Sequence, residues 1–465
     1  MGDFSAALTR YLSRAGHDVR LFLPAYGTID WSDREVGEVE FLRDVPLRIG
    51  DRTLRFTGRY SYLPGISVQV YFIDCPELYQ RPSIYTDDAD EALRFAFLTR
   101  AAMECCQRMG WAPHVFHCND WHTAMLPVQL RSFYRWDSLF GGSRTLLTIH
   151  NIGYQGIFDA ETLSEIGLSE SAVMFPRDDL EAGRVNYLHT GLLHADLITT
   201  VSPTHAREIQ TQEYGMGLDG LLRHRADRLV GILNGVDYDE WDPSHDQLIS
   251  FRYTKDDLTG KARNKRVLLK KVSLPFVART PVVGMISRLV QQKGIDLLPK
   301  VLPELLEQRE FHLIVLGSGE NRYESFFESL QERFPKRVFF YRGYNNELAH
   351  LIEAGSDIFL MPSLYEPCGL NQMYSLRYGA VPVVRKTGGL ADSVDQFNTE
   401  GRTGTGFVFE HFEPGGLRWS LKQALDIYPH RGIWRQLVRN GMGRDFSWER
   451  QAGRYVELYR RLGQT

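Results

Sequence analysis

Three short stretches of the chain hold residues able to handle a phosphate-bearing ligand. In "SRLVQQKG", Arg288 and Lys293 lie at the end of an apolar run and the start of a helical one. Two cations held near a helix N-terminus can bind a diphosphate and neutralise charge that develops on it as a leaving group. The same R-x4-K spacing, standing alone, also describes two solvated surface charges. "SLYEPCGLNQMYSLRYG" follows the apolar run "DIFLMP" and brings Glu366, Cys368, Gly369 and Leu370 to one place. A carboxylate followed by Gly-Leu amides can take sugar hydroxyls and a phosphate together. Taken singly, Glu366 could instead serve a helix macrodipole and Cys368 fill space in a core. In "RKTGGLADSV", Thr387 can cap a helix while Gly388 and Gly389 let backbone N–H groups approach an anion, or the segment is a plain strand-to-helix turn.

Other polar residues sit directly after apolar runs: Asn119, Asp120 and His122 in "HVFHCNDWH", His150 and Asn151 in "TIHNIG", and Tyr344 after "RVFFYRG". A lone histidine at such a place is often structural. No third and fourth ligands at a recognisable spacing support a metal site. "LGSGENR" has Gly317 and Gly319, but Arg322 stands where a dinucleotide fingerprint needs its third glycine, so a reductase reading is weak.

The elements that must position these groups alternate. Short apolar runs ("VRLFLP", "VQVYFID", "HVFHC", "RTLLTI", "DLITTV", then "PVVGMI", "FHLIVLG", "RVFFYR", "DIFLMP", "AVPVV", "GTGFVF") are interleaved with helical patterns such as Glu91 to Arg108. This predicts α/β architecture with mostly parallel sheets, in which ligands bind beyond the carboxyl ends of the strands. At 465 residues the chain is long enough for two or three domains. The polar, turn-rich stretch "NGVDYDEWDPSHDQLISFRYTKDDLTGKARNK" reads as a linker. It places a boundary near residue 245, giving domains at 1–245 and 246–445 and a final helix at 446–465 with Trp448, Tyr455 and Leu458 on its apolar side. A helix also opens the chain, with Ala6, Ala7, Leu8, Tyr11 and Leu12 at helical spacing and Gly16 as its stop.

Composition narrows the function classes. The net charge of -4, with 43% apolar and 24% charged residues, describes a globular protein and gives no case for nucleic-acid or membrane-surface binding. Five cysteines without CxxC spacing argue against a disulfide framework or zinc, and no signal-like or membrane-spanning run is present, so a cytoplasmic location is expected.

Taken together, "GDFSAAL", "HCNDWHTAMLP", "TIHNIGYQGIF", "TTVSPTHAREIQTQEYGMGLDGLL", "GILNGVDYDEWDP", "SRLVQQKGIDLL", "PSLYEPCGLNQMYSLRYGAVPVVRKTGGLADSV" and "FSWERQAGRYVELY" resemble the bacterial glycogen synthase and plant starch synthase family. The resemblance runs in order from residue 1 to about residue 460. It implies a GT-B fold, two Rossmann-like domains facing a central cleft, with the last helix returning to the N-terminal domain. It also implies retaining transfer of glucose from ADP-glucose to an α-1,4-glucan such as glycogen or a maltooligosaccharide, with no cofactor and no metal ion. Under it, Arg288 and Lys293 stabilise the departing diphosphate, Glu366 sits against the glucose and Cys368 lines the pocket. His150 and Asn151 meet the glucose from the other domain, and Tyr344 stacks near adenine. Asn234 contacts the donor, Asp3 reaches the nucleotide, and Gly388 and Gly389 offer amides. A silent glucan-binding protein, or a related enzyme using UDP-glucose or another acceptor, is the alternative.

The chain departs from the family pattern at two places. Members begin with a strand and a K-T-G-G-L-G-D turn, of which Met1-Gly2-Asp3 matches only the end. The absent lysine is a donor-phosphate ligand in the family. The expectation is therefore that this chain folds poorly or has little activity and that a version extended upstream works. Asn371 stands where the family usually has Thr before Gln372.

Overall fold

The computed structural model describes residues 2–32, 35–86 and 88–464. Met1, and with it the question of the start, lies outside the described residues. The chain divides into two compact units, Met1–Val201 with Ala206–Ile232 and Gln451–Thr465, and Ser202–His205 with Leu233–Arg450.

In the first unit the opening helix, Gly2–Arg14, buries Phe4, Ala7, Leu8, Tyr11 and Leu12. Gly16, at a φ of 87° that glycine adopts without strain, follows its end. Strands β1 (Leu21–Pro24), β2 (Gly37–Glu38), β3 (Val45–Ile49), β4 (Arg52–Tyr62) and β5 (Gln69–Asp74) form one sheet in the order β1-β5-β4-β2, with β3 also paired to β4. Only β1 and β5 run parallel there. This antiparallel portion differs from the mostly parallel expectation, although "VPLRIGDRTLRF" carries its signal. Buried and exposed residues alternate along β3, and Ile49 pairs with Arg52 across the two-residue Gly50-Asp51 loop.

A second sheet is parallel throughout. Strands β6 (Val115–Asn119) and β7 (Arg144–Ile149) precede the antiparallel pair β8 (Ile157–Asp159) and β9 (Arg184–Asn186). With β10 (Leu197–Thr200) and β11 (Leu229–Gly231) they give the order β11-β10-β7-β6. The final helix, Trp448–Gly463, buries Trp448, Tyr455 and Leu458. Within the first unit its Tyr455 ring lies 5.8 Å from that of Phe4, and its Tyr459 hydroxyl bonds His117 Nδ1 at 2.8 Å.

The second unit holds six parallel strands: β12 (Val282–Ile286), β13 (His312–Gly317), β14 (Val338–Arg342), β15 (Ile358–Met361), β16 (Val381–Arg385) and β17 (Phe407–Phe409). Their order, β14-β13-β12-β15-β16-β17, is the 3-2-1-4-5-6 arrangement of a Rossmann sheet. Strands β13, β15 and β16 are buried at every residue, as unbroken apolar runs covered on both faces must be. The strand order reverses between β12 and β15. The loops after those two strands are therefore the ones that open a ligand crevice, and they carry Arg288, Lys293, Glu366 and Cys368.

The stretch read as a linker belongs to the second unit. The passage between units falls at Ile232 and Leu233, upstream of residue 245, and the return at Arg450 and Gln451. Several of its residues are spent on packing. The Trp241 ring lies between His350 and Tyr374, with centroids 3.8 and 4.1 Å away, and Asp242 pairs with Arg377. Buried Asp246 accepts from Tyr378 Oη at 2.6 Å and contacts His350 Nδ1 at 2.9 Å. Polar composition marks a linker only when the polar groups are solvated, and Asp242 and Asp246 are buried.

Candidate active site

In the second unit Lys293 Nζ donates to Glu366 Oε2 at 2.6 Å, and Ser363 Oγ donates to the same oxygen at 3.1 Å. Glu366 is 5% exposed, so the ammonium compensates a carboxylate that burial would otherwise penalise. The two side chains come from the loops after β12 and β15, which further bonds lock together: Leu364 N–H to Gln292 O at 2.9 Å, and Gln292 Nε2 to Tyr365 O at 3.4 Å. Lys293 does not start an α-helix. It closes a 3-10 turn, Gln291–Lys293, and Gly294 follows in the left-handed region at φ 70°. Arg288 is exposed, and no carboxylate pairs with it among the described residues.

The glycine pair after β16 has a structural duty that differs from the expected one. The Gly389 N–H donates to Glu366 O at 3.0 Å and Pro367 O at 3.2 Å, and is thereby occupied. A Cβ on Gly389 would overlap the Cys368 carbonyl, and one on Gly388 the Glu366 carbonyl. The absence of side chains at these two residues lets the helix Gly388–Ser393 dock against the Glu366 loop. Thr387 is the N-cap by backbone conformation, but its side chain makes no capping bond. The N–H groups of Gly369 and Leu370, ahead of the helix Asn371–Tyr378, have no protein acceptor among the described residues. Cys368 is buried, which pushes its thiol up to about 12, and it bonds the backbone of Asn234. Asn234 itself has a buried Oδ1 without a hydrogen-bond partner among the described residues. Tyr344 is 72% exposed, with its hydroxyl on Asn346 Oδ1 at 2.8 Å. Gly317 and Gly319 have a backbone reason of their own, since a Cβ on either would overlap the carbonyl of Ser287 or Leu289.

In the first unit Asp120, His150 and Asn151 form one cluster. Asp120 Oδ1 accepts from the backbone N–H of His150 at 2.7 Å and of Asn151 at 3.3 Å. His150 Nε2 lies 2.9 Å from Asn119 Oδ1, which can only accept, so Nε2 carries the proton. Burial pushes the His150 imidazole well below its ordinary value, so it is neutral at pH 7. The His122 ring stacks on Trp121 at 4.1 Å, neither of its nitrogens has a hydrogen-bond partner among the described residues, and burial lowers it to about 4. Asp3 is exposed in the first turn of the opening helix.

Burial raises Asp120 to about 6 in spite of its two amide bonds. A raised carboxyl contributes stability that is full below the unfolded value near 3.8 and is lost as pH climbs through 6. Asp120→Asn keeps the acceptor oxygen and removes the charge. It is expected to gain about 3 kcal/mol over the wild type at pH 7 and nothing at pH 3.5, read from urea midpoints across that range.

Sequence reasoning missed Ser363, Gln372 and Arg385. Gln372 Nε2 holds the carbonyls of Cys368 and Gly369, each at 3.0 Å. Arg385, at the carboxyl end of β16, was findable by the same strand-end rule that singled out Arg288.

A Rossmann sheet with a cation and carboxylate pair at its switch point in the second unit, and a parallel sheet in the first, fit a glycosyltransferase of the GT-B kind, and the comparisons show that class. Residues 1–224 match the starch synthase catalytic domain family and residues 269–440 the glycosyl transferases group 1 family. The glycogen synthase of Syntrophotalea carbinolica is 42% identical over 99% of this chain and 95% of its own, and that of Anaeromyxobacter dehalogenans strain 2CP-1 is 43% identical over 99% and 95%. The catalytic domain of starch synthase IV from Arabidopsis thaliana, solved with ADP and acarbose, superposes with a TM-score of 0.92 at 33% identity, covering 100% of this chain and 96% of that one. The chain belongs to the glycogen synthase and starch synthase family.

Proposed function

We propose that the chain transfers glucose from ADP-glucose to the non-reducing end of an α-1,4-glucan with retention of configuration, in the cytoplasm. The observation that carries this reading is the Lys293 and Glu366 pair at the switch point of the Rossmann sheet, in a chain related to glycogen synthases throughout its length. The starch synthase structure holding ADP and acarbose supports a nucleotide and a glucan as ligands.

In this reading the second unit takes the donor and the first the acceptor. Lys293 and Arg288 neutralise the leaving diphosphate, and the amides of Gly369 and Leu370 add donors to it. Glu366 accepts from a glucose hydroxyl, Cys368 and Asn234 line the donor pocket, and Tyr344 stacks on the adenine. His150, neutral and with its Nε2–H held by Asn119, offers Nδ1 as an acceptor, and it and Asn151 contact the glucose; Asp120 holds their backbone, and His122 sits by the glucan. Retaining hydrolases pair two carboxylates about 5–5.5 Å apart, one of them a nucleophile. Glu366 instead shares its oxygen with a lysine and a serine, and Tyr374 stands eight residues on. That favours front-face attack by the glucan 4-hydroxyl, with the leaving phosphate taking its proton. Domain closure and the docking of the last helix are not needed for this assignment.

Transfer of labelled glucose to glycogen, with ADP-glucose and UDP-glucose in parallel, tests the reading. Incorporation that prefers ADP-glucose is expected. Binding of maltooligosaccharide without turnover of either donor would make the chain a glucan-binding protein, and turnover of UDP-glucose alone would overturn the donor.

A further inference from the structure

We infer that Arg385 is a positioning residue for glucosyl transfer, holding the loop that presents Glu366 to Lys293; this rests on the donor-site reading above. Arg385 is 6% exposed, and its guanidinium donates to backbone carbonyls. Nε donates to Ser363 O at 3.0 Å, Nη2 to Leu364 O, and Nη1 to Glu410 O at 3.3 Å. Ser363 and Leu364 are two of the residues through which the Glu366 loop acts on the ion pair. The Ser363 hydroxyl donates to Glu366 Oε2, and the Leu364 N–H donates to Gln292, next to Lys293.

One cation therefore holds the backbone on which both partners of the pair depend. The planar fork of an arginine spans three carbonyls at fixed angles, which a single ammonium does not. A buried cation held by carbonyls costs desolvation, and the return is a loop fixed in one geometry. The adjacent Lys386 is a contrast: it is exposed, and its ammonium pairs with the Glu410 carboxylate at 2.7 Å.

The test is a set of double-mutant cycles on glucosyl transfer using Arg385→Lys, Ser363→Ala and Glu366→Gln, with Lys386→Ala as control. Arg385→Lys is expected to lower kcat by about 10–100-fold, and Ser363→Ala by about 3–10-fold, with the glucan KM within about twofold. In the Glu366→Gln background both effects should shrink to about twofold or less, because the group being positioned has lost its charge. Lys386→Ala should match the wild type. A kcat for Arg385→Lys within about threefold of wild type, or effects that multiply undiminished in the Glu366→Gln background, would overturn the inference. If Arg385→Lys does not melt cooperatively, the Ser363→Ala cycle decides by the same criterion. No transfer by the wild type would remove the donor reading and this inference with it, whereas an active wild type with undiminished effects removes this inference alone.

Discussion

Lys293→Ala is expected to lower kcat for glucosyl transfer by about 10²–10³-fold, the usual loss when one preorganised donor to a developing negative charge is removed. The loss should fall on kcat more than on the glucan KM, because the charge grows as the diphosphate leaves. A second effect follows from the pairing. Glu366 is 5% exposed and bonded to Lys293 at 2.6 Å, so deleting the ammonium leaves a carboxylate buried with one neutral donor, Ser363. Breaking a buried pair costs about 3–5 kcal/mol, and Lys293, at 19% side-chain exposure, places this one toward the lower end. The double variant Lys293→Ala/Glu366→Gln should recover that stability and none of the activity. Activity within tenfold of wild type in the single variant, measured beside urea midpoints for both, would mean that Lys293 serves only to neutralise Glu366.

Gly389→Ala should abolish detectable transfer and cost about 1–3 kcal/mol, the penalty for forcing atoms into a filled space. The added methyl overlaps the Cys368 carbonyl, and the Gly389 N–H that holds the carbonyls of Glu366 and Pro367 moves with it. The Glu366 loop is thereby displaced from Lys293. Gly432→Ala is the matching control: it lies in the helix Arg431–Met442 with open space around its Cβ, and should gain about 0.5–1 kcal/mol with no change in activity. Thermal melts and initial rates on the two variants separate a specific clash from a general intolerance of alanine. Wild-type rates in Gly389→Ala would show that the loop is set by other contacts.

The parallel strands were legible because each apolar run is buried on both faces and reads as a continuous block. Strand-end logic singles out Arg288, Lys293, Glu366 and His150 as candidates without reference to contacts, since open α/β sheets put ligands there. The pairing of Lys293 with Glu366 across 73 residues was not legible, because no local pattern records which loops touch. For the same reason Gly389 reads as anion-facing, whereas its N–H is taken by the carbonyls of Glu366 and Pro367. The residues 237–250 misled by composition: Asp242, Asp246 and Trp241 look like a solvated linker and are partners of Arg377, His350, Tyr374 and Tyr378. The β3 and β4 hairpin was written in its alternation and was passed over for a helical and parallel scheme.

The most direct test of the central claim is the linkage and anomeric form of the product. ADP-glucose labelled with carbon-13 at C1 is incubated with the chain and a maltooligosaccharide, and the new glycosidic signal is followed by NMR. Glucosyl transfer with retention predicts a growing α-1,4 signal and release of ADP in equal amount. A β-linked product, or free glucose and ADP with no new linkage, would contradict it.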